Sequence, residues 1–475
     1  MSKKLSNVAQ IMNNSSTIVF ISSGMLSSKK KHQKMQLYIN YGFLGLASIL
    51  AESNNVIFFQ NEGFSPEEAI NRMERESLLN SNQPIFISVP SYYAVEWAKV
   101  FISLLKHINP LQRIIVGGRW VLSDKEWALR TFDQVDVIVN GQAENIILKL
   151  LDIKKVHDDG PVYIDNSSNR EIPPDYTLNY SVLYDYAKYT PSIELSRGCG
   201  FGCEFCADKA VPLSSMKEPA KIISEIKSIL QLYGTDTLNF YFESSIFKPT
   251  EQWSKQLFDL CKENKLGIAW RCETRADVNL SPATFSYLAG SGLKILDIGL
   301  ESASPTQLMR MGKTTKPDQY LKKFIYLLEQ CKEHGIWTKV NIMFYPGENM
   351  QTLDETIRFL NKYNDYIKGV SIYPMVIYGT DTYAKHFLEE IKRDGASSVR
   401  GDLERTGITQ IHLSEDFTNE QAHAIALDIS KKYMSLRDYY DLKSFNYFPR
   451  GFTIEEFETN IAGLSPMMLP FSQIH

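Results

Sequence analysis

The feature that most constrains the fold is a regular alternation of short β-rich runs with segments of helical periodicity, which continues through most of the chain. In the first series the runs are continuous and apolar, as in strands that are buried on both faces of a sheet. They are TIVFIS (17–22), NVIFFQ (55–60), PIFISV (84–89), RIIVGG (113–118) and DVIVNG (136–141). This pattern predicts a doubly wound α/β domain over residues 1–151, with ligands expected at the carboxyl ends of its strands.

A second series follows residues 152–190, whose richness in Asp, Asn and Pro predicts a linker. Its runs are SIELS (192–196), TLNFYFES (237–244), GIAWRCET (267–274), ILDIGLES (295–302), TKVNIMFY (338–345) and GVSIYPMV (369–376). Several of these runs alternate strictly between polar and apolar residues, so one face of the sheet is charged. A closed barrel fills its lumen with apolar side chains. The pattern therefore predicts an open parallel barrel around a polar ligand over residues 191–385. A single-layer sheet with its polar face in water is disfavoured, because helical crossovers usually cover parallel sheets.

The bulk composition narrows the classes of protein. With 475 residues, 44% of them hydrophobic, and a net charge of −4, the chain has the balance of a globular protein of two or three domains. This charge provides no general attraction to nucleic acid or to anionic membranes. The sequence contains no apolar run long enough for a membrane span and no signal-peptide core at its start, so a cytoplasmic location is expected. Its six cysteines then indicate metal or redox chemistry rather than a disulfide framework.

Three of the cysteines lie in one short loop, SRGCGFGCEFC (196–206), directly after the first strand of the second series. A zinc site needs a fourth ligand, and no His follows at zinc-finger spacing. Thiolates also hold iron–sulfur clusters, and three of them on a four-iron cube leave one iron open for a substrate or cofactor. A metal site is therefore predicted at the carboxyl end of a strand, where such barrels place active sites. The remaining cysteines, predicted to be packed thiols, are Cys261, Cys272 and Cys331.

The string CGFGCEFC matches a Cys-x3-Cys-x-aromatic-Cys signature, and with it the chain resembles the radical S-adenosylmethionine (SAM) enzymes, whose core is a six-unit open barrel. Other stretches resemble the subfamily that carries an N-terminal cobalamin-binding-type domain. They are YGFLGLASILAE (41–52), IIVGG (114–118), VDVIVNGQAE (135–144), CETRAD (272–277), LDIGLESAS (296–304), NIMFYPGE (341–348) and IYPMVIYGTD (372–381). The similarity runs in the family's order from about residue 17 to 385.

The resemblance implies that Cys199, Cys203 and Cys206 hold a 4Fe–4S cluster whose fourth iron chelates S-adenosyl-L-methionine. Reduction of the cluster would cleave the sulfonium and produce a 5′-deoxyadenosyl radical. The resemblance also implies a set of cofactor-binding residues: Glu301 for the ribose hydroxyls, Arg275 for the methionyl carboxylate, Glu243 for the amino group, Phe205 near the adenine, and Asn341 on the same polar face. The stretch FYFESS around Glu243 lacks the glycines of the family's corresponding motif.

The first domain lacks the Asp-x-His-x-x-Gly motif with which some cobalamin domains replace the lower cobalt ligand. Radical relatives that lack this motif bind cobalamin without a histidine ligand, so the resemblance implies that form here. The ring is expected near small residues that end the strands: Ser88, Gly117, Gly118 and Gly141.

Several functions stay open at this point. The first is cobalamin-dependent C-methylation of an unactivated carbon in natural-product or peptide biosynthesis, and the second is a radical rearrangement, cyclisation or oxidation without methyl transfer. An iron–sulfur electron carrier or binding protein is the non-enzymatic alternative, which the charged lumen disfavours. A methylthiotransferase acting on tRNA is disfavoured too, so no nucleic-acid partner is expected. The expected partners are a small-molecule or peptide substrate and an electron donor such as flavodoxin or ferredoxin. Residues 386–475 are expected to form a mainly helical region on the substrate side.

Overall fold

The structure, a computed structural model, describes residues 16–25, 35–153, 160–168, 176–206, 209, 211–380, 382–399 and 406–472. Its chain divides into two compact units. The first contains the described residues up to 189 together with 378–386 and 406–409, and the second contains the rest. No helix in these described ranges is long and apolar enough to cross a membrane.

The first unit is built on a six-stranded, all-parallel sheet with the order β2-β1-β3-β4-β5-β6. Its strands are β1 (Ile18–Ser22), β2 (Val56–Gln60), β3 (Ile85–Ser88), β4 (Ile114–Gly118), β5 (Val137–Gly141) and β6 (Val162–Asn166). Its helices are α1 (Tyr41–Ala51), α2 (Pro66–Arg75), α3 (Val95–Ile108), α4 (Lys125–Thr131) and α5 (Ile147–Leu150). The strand order reverses between β1 and β3, which is where doubly wound sheets bind their ligands.

Both faces of this first sheet are covered. On one face Ile85 and Ile87 pack into a buried cluster with Trp97 and Phe101 of α3. On the other face Phe86 stacks on Phe20 at a centroid distance of 4.8 Å. This two-sided burial explains the continuous apolar runs in the sequence.

One strand of the first sheet lies in the segment that the sequence predicts to be a linker. Residues 162–166 form β6 and pair in parallel with β5 at the edge of the sheet. Their side chains are mostly half-buried, so the apolar pattern of a central strand is absent. The first unit therefore extends to residue 189, beyond the predicted boundary at 151.

The second unit contains a parallel sheet in which six strands follow one another in chain order from β7 to β12. The strands are β7 (Ser192–Glu194), β8 (Thr237–Glu243), β9 (Gly267–Arg275), β10 (Leu293–Glu301), β11 (Trp337–Phe344) and β12 (Gly369–Pro374). The intervening helices are α6 (Pro219–Tyr233), α7 (Glu251–Glu263), α8 (Pro282–Gly290), α9 (Pro305–Arg310), α10 (Pro317–Glu333) and α11 (Met350–Tyr363). No pairing within the described residues joins β7 to β12, so the barrel is open, as the sequence predicts.

Local sequence determines where many of these helices begin. Proline occupies the first turn of four helices of the second unit, where its missing N–H is not needed: Pro219, Pro282, Pro305 and Pro317. Thr250 and Ser281 cap α7 and α8 by accepting hydrogen bonds from backbone N–H groups of the first turn.

The C-terminal region is mainly helical, as predicted, and it also contributes to a small sheet. It contains β13 (Val376–Tyr378), α12 (Thr382–Glu390), β14 (Ser397–Ser398), β15 (Ile408–His412), α13 (Asn419–Lys432), α14 (Leu436–Ser444) and α15 (Ile454–Ile461). The three strands form a small sheet with the order β13-β15-β14. Short 3₁₀ helices occur in both units, at Tyr92–Ala94, Tyr180–Val182, Tyr186–Lys188, Asn364–Tyr366, Ile391–Asp394 and Pro466–Met468.

Part of this region closes the amino-terminal end of the barrel. Residue Asn239, near the start of β8, donates to the Phe445 carbonyl at 3.0 Å. Residue Leu442 lies against Gly369, the first residue of β12. These contacts place residues 442–447 at the end of the sheet away from the cysteine loop, so the expected substrate-side position does not hold for this segment.

Candidate active site

The cysteine loop follows β7 and is folded by glycines. Gly198 and Gly200 both have φ of +74°, a conformation that L side chains rarely adopt. A Cβ on Gly198 would lie 2.0 Å from the Pro212 carbonyl oxygen, so no other residue fits. The N–H groups of Cys199 and Gly200 both donate to the Val211 carbonyl, at 3.1 and 3.0 Å. The loop thus returns on itself and holds its thiols at the carboxyl end of the barrel.

The three thiols of this loop differ in exposure. Cys203 is buried, whereas Cys199 and Cys206 are half-buried. Burial raises the pKa of Cys199, while the positive charges of Arg275 and Lys313 favour its thiolate form. No three His, Cys, Asp or Glu side chains of the described residues converge as ligands of a single metal ion. Ligands of a four-iron cube bind separate irons and lie farther apart, so an all-thiol, three-cysteine loop fits a cluster rather than one ion.

Arg275, the last residue of β9, holds the cysteine loop from the neighbouring strand. Its Nη1 donates to Cys203 Sγ at 3.1 Å, its Nη2 donates to the Lys313 carbonyl at 2.7 Å, and its Nε donates to Asp277 Oδ1 at 2.9 Å. The ring of Phe201 covers the guanidinium at 3.9 Å. The side chain is 5% exposed. The resemblance assigns Arg275 to the methionyl carboxylate of SAM, whereas in this structure it contacts a predicted cluster ligand.

Glu301 ends β10 in a strained conformation. Its φ of +65° is unusual for a residue other than glycine, and strain of this kind concentrates at functional sites. Lys313 Nζ lies 2.9 Å from Glu301 Oε1 and 5.7 Å from the ring centroid of Phe205. The turn at 311–313 also accepts a hydrogen bond from the Glu204 N–H through the Met311 carbonyl. Glu301, Phe205 and the cysteine loop are therefore joined through one turn.

Glu243 ends β8, beside β7, and it has no described cationic partner within salt-bridge distance. Its Oε1 accepts a hydrogen bond from Ser192 at 2.7 Å. Burial raises the pKa of Glu243 to about 8, and the neighbouring Glu273 and Glu194 add to the increase. This carboxyl group is suited to receive a cationic group from a bound molecule.

Deeper in the lumen the charges are paired with each other. Asp297 accepts from Arg271 Nη2 at 2.8 Å, and Lys339 Nζ lies 3.2 Å from its Oδ1. Lys339 also donates to Asn341 Oδ1 at 2.6 Å. Arg271 further donates to the Leu442 carbonyl at 2.6 Å, so the network is anchored to the C-terminal segment. The middle of the lumen is thus charged, as predicted, and its charged groups are paired with one another. Asn341 belongs to this network.

In the first unit, the predicted small residues lie at one edge of the sheet. Ser88 pairs with Gly117, and Gly118 pairs with Asn140, which precedes Gly141 on β5. A Cβ on Gly117 would have open space, with its nearest contact at 3.9 Å. Gly118 is closely packed instead, because a Cβ there would lie 2.8 Å from the Val89 carbonyl oxygen.

Asn40, which the sequence did not single out, forms hydrogen bonds with three strands at the same edge, where the strand order reverses. It caps α1 and its Nδ2 donates to Ser88 Oγ at 3.0 Å and to Ser22 Oγ at 3.3 Å. Its backbone N–H donates to Gln60 Oε1 at 3.0 Å. A signal was present, since an Asn before the helical stretch 41–52 is a typical N-cap. Lys313 was missed as well, because its partner Arg275 is 38 positions away.

Comparison with known proteins identifies the second unit. Residues 193–360 match the model of the radical SAM superfamily. This stretch is therefore a radical SAM domain, for which SAM and a 4Fe–4S cluster are the cofactors.

Two curated relatives each match a little more than half of this chain. The anaerobic magnesium-protoporphyrin IX monomethyl ester cyclase of Rubrivivax gelatinosus is 24% identical over 310 residues, covering 59% of this chain and 54% of the cyclase. An uncharacterised methyltransferase of Pyrococcus horikoshii is 23% identical over 285 residues, covering 54% of this chain and 60% of that protein. The matches therefore span little more than half the length of these relatives.

Solved structures share the fold over nearly the whole chain. The radical SAM methyltransferase TsrM from Kitasatospora setae, with cobalamin and a 4Fe–4S cluster bound, has a TM-score of 0.63 at 13% identity and covers 87% of this chain and 88% of its own. The cobalamin-dependent SAM radical enzyme OxsB has a TM-score of 0.61 at 17% identity and covers 90% of this chain and 67% of its own. These likenesses confirm the predicted architecture of a doubly wound domain followed by an open radical SAM barrel.

Proposed function

We propose that this chain, in which residues 193–360 form a radical SAM domain, is a cobalamin-dependent enzyme that methylates an unactivated carbon of a small-molecule or peptide substrate. The observation that carries the proposal is the joining of the three-cysteine loop to the lumen face through Arg275, Lys313 and Glu301. A simple electron carrier has no need of such an arrangement. When bound, the cluster supplies one electron to the sulfonium of SAM, whose cleavage gives methionine and a 5′-deoxyadenosyl radical.

The side chains around the loop would position SAM. Glu301 would accept hydrogen bonds from the ribose hydroxyls, for which its strained backbone presents the carboxylate, and Lys313 would keep that carboxylate in place. Glu243 would receive the methionyl ammonium, whose charge compensates a carboxyl group that has no described cationic partner within salt-bridge distance. Phe205 would lie beside the adenine.

The lumen would hold the substrate above a closed floor. Arg271, Asp297 and Lys339 satisfy one another and are sealed from below by the segment that contains Leu442. Closing this end shields a reactive radical from side reactions with molecules that would enter from solvent. The reductant would be a small electron-transfer protein such as flavodoxin or ferredoxin.

Cobalamin would lie against the carboxyl edge of the first sheet, near Ser88, Gly117, Gly118 and Gly141. Open space at Gly117 lets a large planar ring approach the backbone. Cobalamin, when bound, supplies the transferable methyl group. TsrM, a structural neighbour over both units, is a methyltransferase with cobalamin bound, which supports this assignment.

The radical step is tested by anaerobic formation of 5′-deoxyadenosine from SAM with a chemical reductant. Wild type is expected to form it, and Glu301→Gln is expected to weaken SAM binding by ~2–5 kcal/mol through loss of a charged contact. The matched control is Glu329→Gln, an exposed carboxylate on α10. Cluster-loaded wild type that binds SAM without ever cleaving it would refute the radical step.

The cobalamin assignment is tested by retention through gel filtration after production with hydroxocobalamin. About one equivalent should remain, and its cobalt(II) electron paramagnetic resonance (EPR) spectrum should lack nitrogen superhyperfine splitting. Gly117→Phe is expected to abolish retention, whereas Leu111→Phe, at a 90% exposed position that precedes β4, should not. Failure of wild type to retain cobalamin would remove methyl transfer from the proposal.

One observation favours a second function. A relative at 24% identity is a cyclase by name, so radical cyclisation, with related rearrangement or oxidation, is the alternative. It shares the radical step and would be separated from methylation by the absence of a SAM-derived methyl group in the product.

A further inference from the structure

The guanidinium of Arg275 has almost no hydrogen-bonding capacity left for another ligand. An arginine carries five N–H donors. Four of them are used: two by Asp277, at 2.9 and 3.3 Å, one by the Lys313 carbonyl and one by Cys203 Sγ. A bidentate contact to the methionyl carboxylate needs two free donors. The contacts seen here therefore disfavour the role that the resemblance assigns to this residue.

The same contacts direct one N–H of the guanidinium at the sulfur of Cys203. Arg275 is 5% exposed, and Phe201 covers its guanidinium at 3.9 Å, so little water screens its interaction with Cys203. Asp277 fixes the orientation of the guanidinium by accepting from Nε and Nη2. The N–H that reaches Cys203 is thus held in place from the opposite side of the guanidinium.

We propose that Arg275 is a positioning residue for the cluster: it donates an N–H···S hydrogen bond to the Cys203 thiolate and thereby raises the reduction potential of the cluster. Hydrogen bonds to cluster sulfurs are among the factors that determine this potential. A fixed N–H donor stabilises the reduced form, because that form carries one more negative charge. The inference rests on the proposed function, since it presupposes a cluster on the three cysteines.

The carbonyl that anchors Arg275 connects this effect to the SAM site. Lys313 accepts from Arg275 through its backbone and pairs with Glu301 through its side chain, at 2.7 and 2.9 Å. A predicted cluster ligand and the predicted ribose ligand are therefore linked by two intervening residues. The hydrogen bond to Cys203 is therefore connected, through Arg275 and Lys313, to the residue predicted to bind the ribose of SAM.

The experiment is a redox titration of the anaerobically reconstituted full chain, followed by EPR. In Arg275→Ala the ratio of reduced to oxidised cluster, measured at the wild-type midpoint, should fall about tenfold, which is about 59 mV for a one-electron couple. Arg275→Lys keeps the charge without the fork and should shift the midpoint in the same direction by less. Arg310→Ala is the control, since this guanidinium contacts Asp394 and the Gly347 carbonyl and should leave the midpoint unchanged.

SAM affinity provides the second readout. Arg275→Ala should bind SAM within about twofold of wild type, because the residue does not contact SAM in this account. A lost affinity with an unchanged midpoint would overturn the inference in favour of the carboxylate role. If Arg275→Ala does not hold a cluster, a wild-type midpoint in Arg275→Lys would overturn it as well. Wild type without a cluster would instead refute the proposed function, and the inference with it.

Discussion

The two parallel sheets of this protein differ in how their faces are buried. In the first sheet the strands are buried on both faces, and β1 and β3 are buried at every position. In the second sheet β10 and β11 place apolar residues on the helix side and polar residues, among them the buried Asp297 and Lys339 and the half-buried Asn341, in the lumen. The first sheet can therefore contact a ligand only at the ends of its strands, whereas the second sheet can contact a ligand with the whole face that lines the lumen.

The difference determines which groups each unit can present to a ligand. A sheet covered on both faces presents backbone and small residues at its strand ends, such as Gly117 and Gly118, and these suit a large cofactor that lies against the edge. The lumen offers charged side chains, but Arg271, Asp297 and Lys339 must neutralise one another to remain buried there. Glu243 has no such partner among the described residues and is available to a ligand.

The largest expected effect comes from breaking the lumen network. Asp297→Ala leaves Arg271 and Lys339 as buried cations without their carboxylate, and breaking a buried pair in this way typically costs about 3–5 kcal/mol. The free energy of unfolding of the second unit, from urea titration, should fall by this amount. Asp354→Ala, which removes an exposed partner of Arg358 on α11, should change it by less than about 1 kcal/mol. Equal effects of the two substitutions would show that the lumen charges are solvated.

The next effect tests the two-sided burial of the first sheet. The side chains of Phe86 and Ile87 point to opposite faces of β3, and both are buried. The test replaces each of them with alanine. Each substitution should destabilise the first unit, by about 3–5 and 2–5 kcal/mol respectively. A large loss in only one of them would mean that one face is not packed.

A pH dependence should follow from the unpaired carboxyl of Glu243. Burial raises its pKa from 4.5 to about 8 in the folded protein, so between these values the folded state binds more protons than the unfolded state. Stability from this group is therefore present below about pH 4.5 and is lost as the pH rises through about 8. Urea midpoints should decline less steeply with pH in Glu243→Gln than in wild type. The same slope in both proteins would contradict the assigned environment.

The smallest effects are expected at the buried cysteines outside the loop. Cys261, Cys272 and Cys331 are all buried, and Cys272 lies on the apolar side of β9. Alanine at each should leave the iron content unchanged and cost on the order of 1 kcal/mol of stability. Loss of iron in any of the three would identify a ligand that the account has missed.

The sequence predicts most of this architecture because periodicity reports burial directly. The predicted bounds of the β-rich runs differ from the observed strands by a residue or two, and the three-cysteine loop lies where predicted. The strand β6 could not be predicted, since its half-buried edge residues carry no apolar pattern and its pairing with β5 is tertiary. The partners of Arg275 were out of reach for the same reason, because Cys203 is 72 positions away in the sequence.

Whether the three cysteines hold a cluster is tested by the iron and sulfide content of the anaerobically reconstituted protein and of a variant in which Cys199, Cys203 and Cys206 are all alanine. Wild type should bind about four irons and four sulfides, with the broad visible absorption of a thiolate-ligated cluster. The triple variant should bind neither and should keep the fold, as judged by far-UV circular dichroism. A triple variant that retains a full cluster would contradict the account.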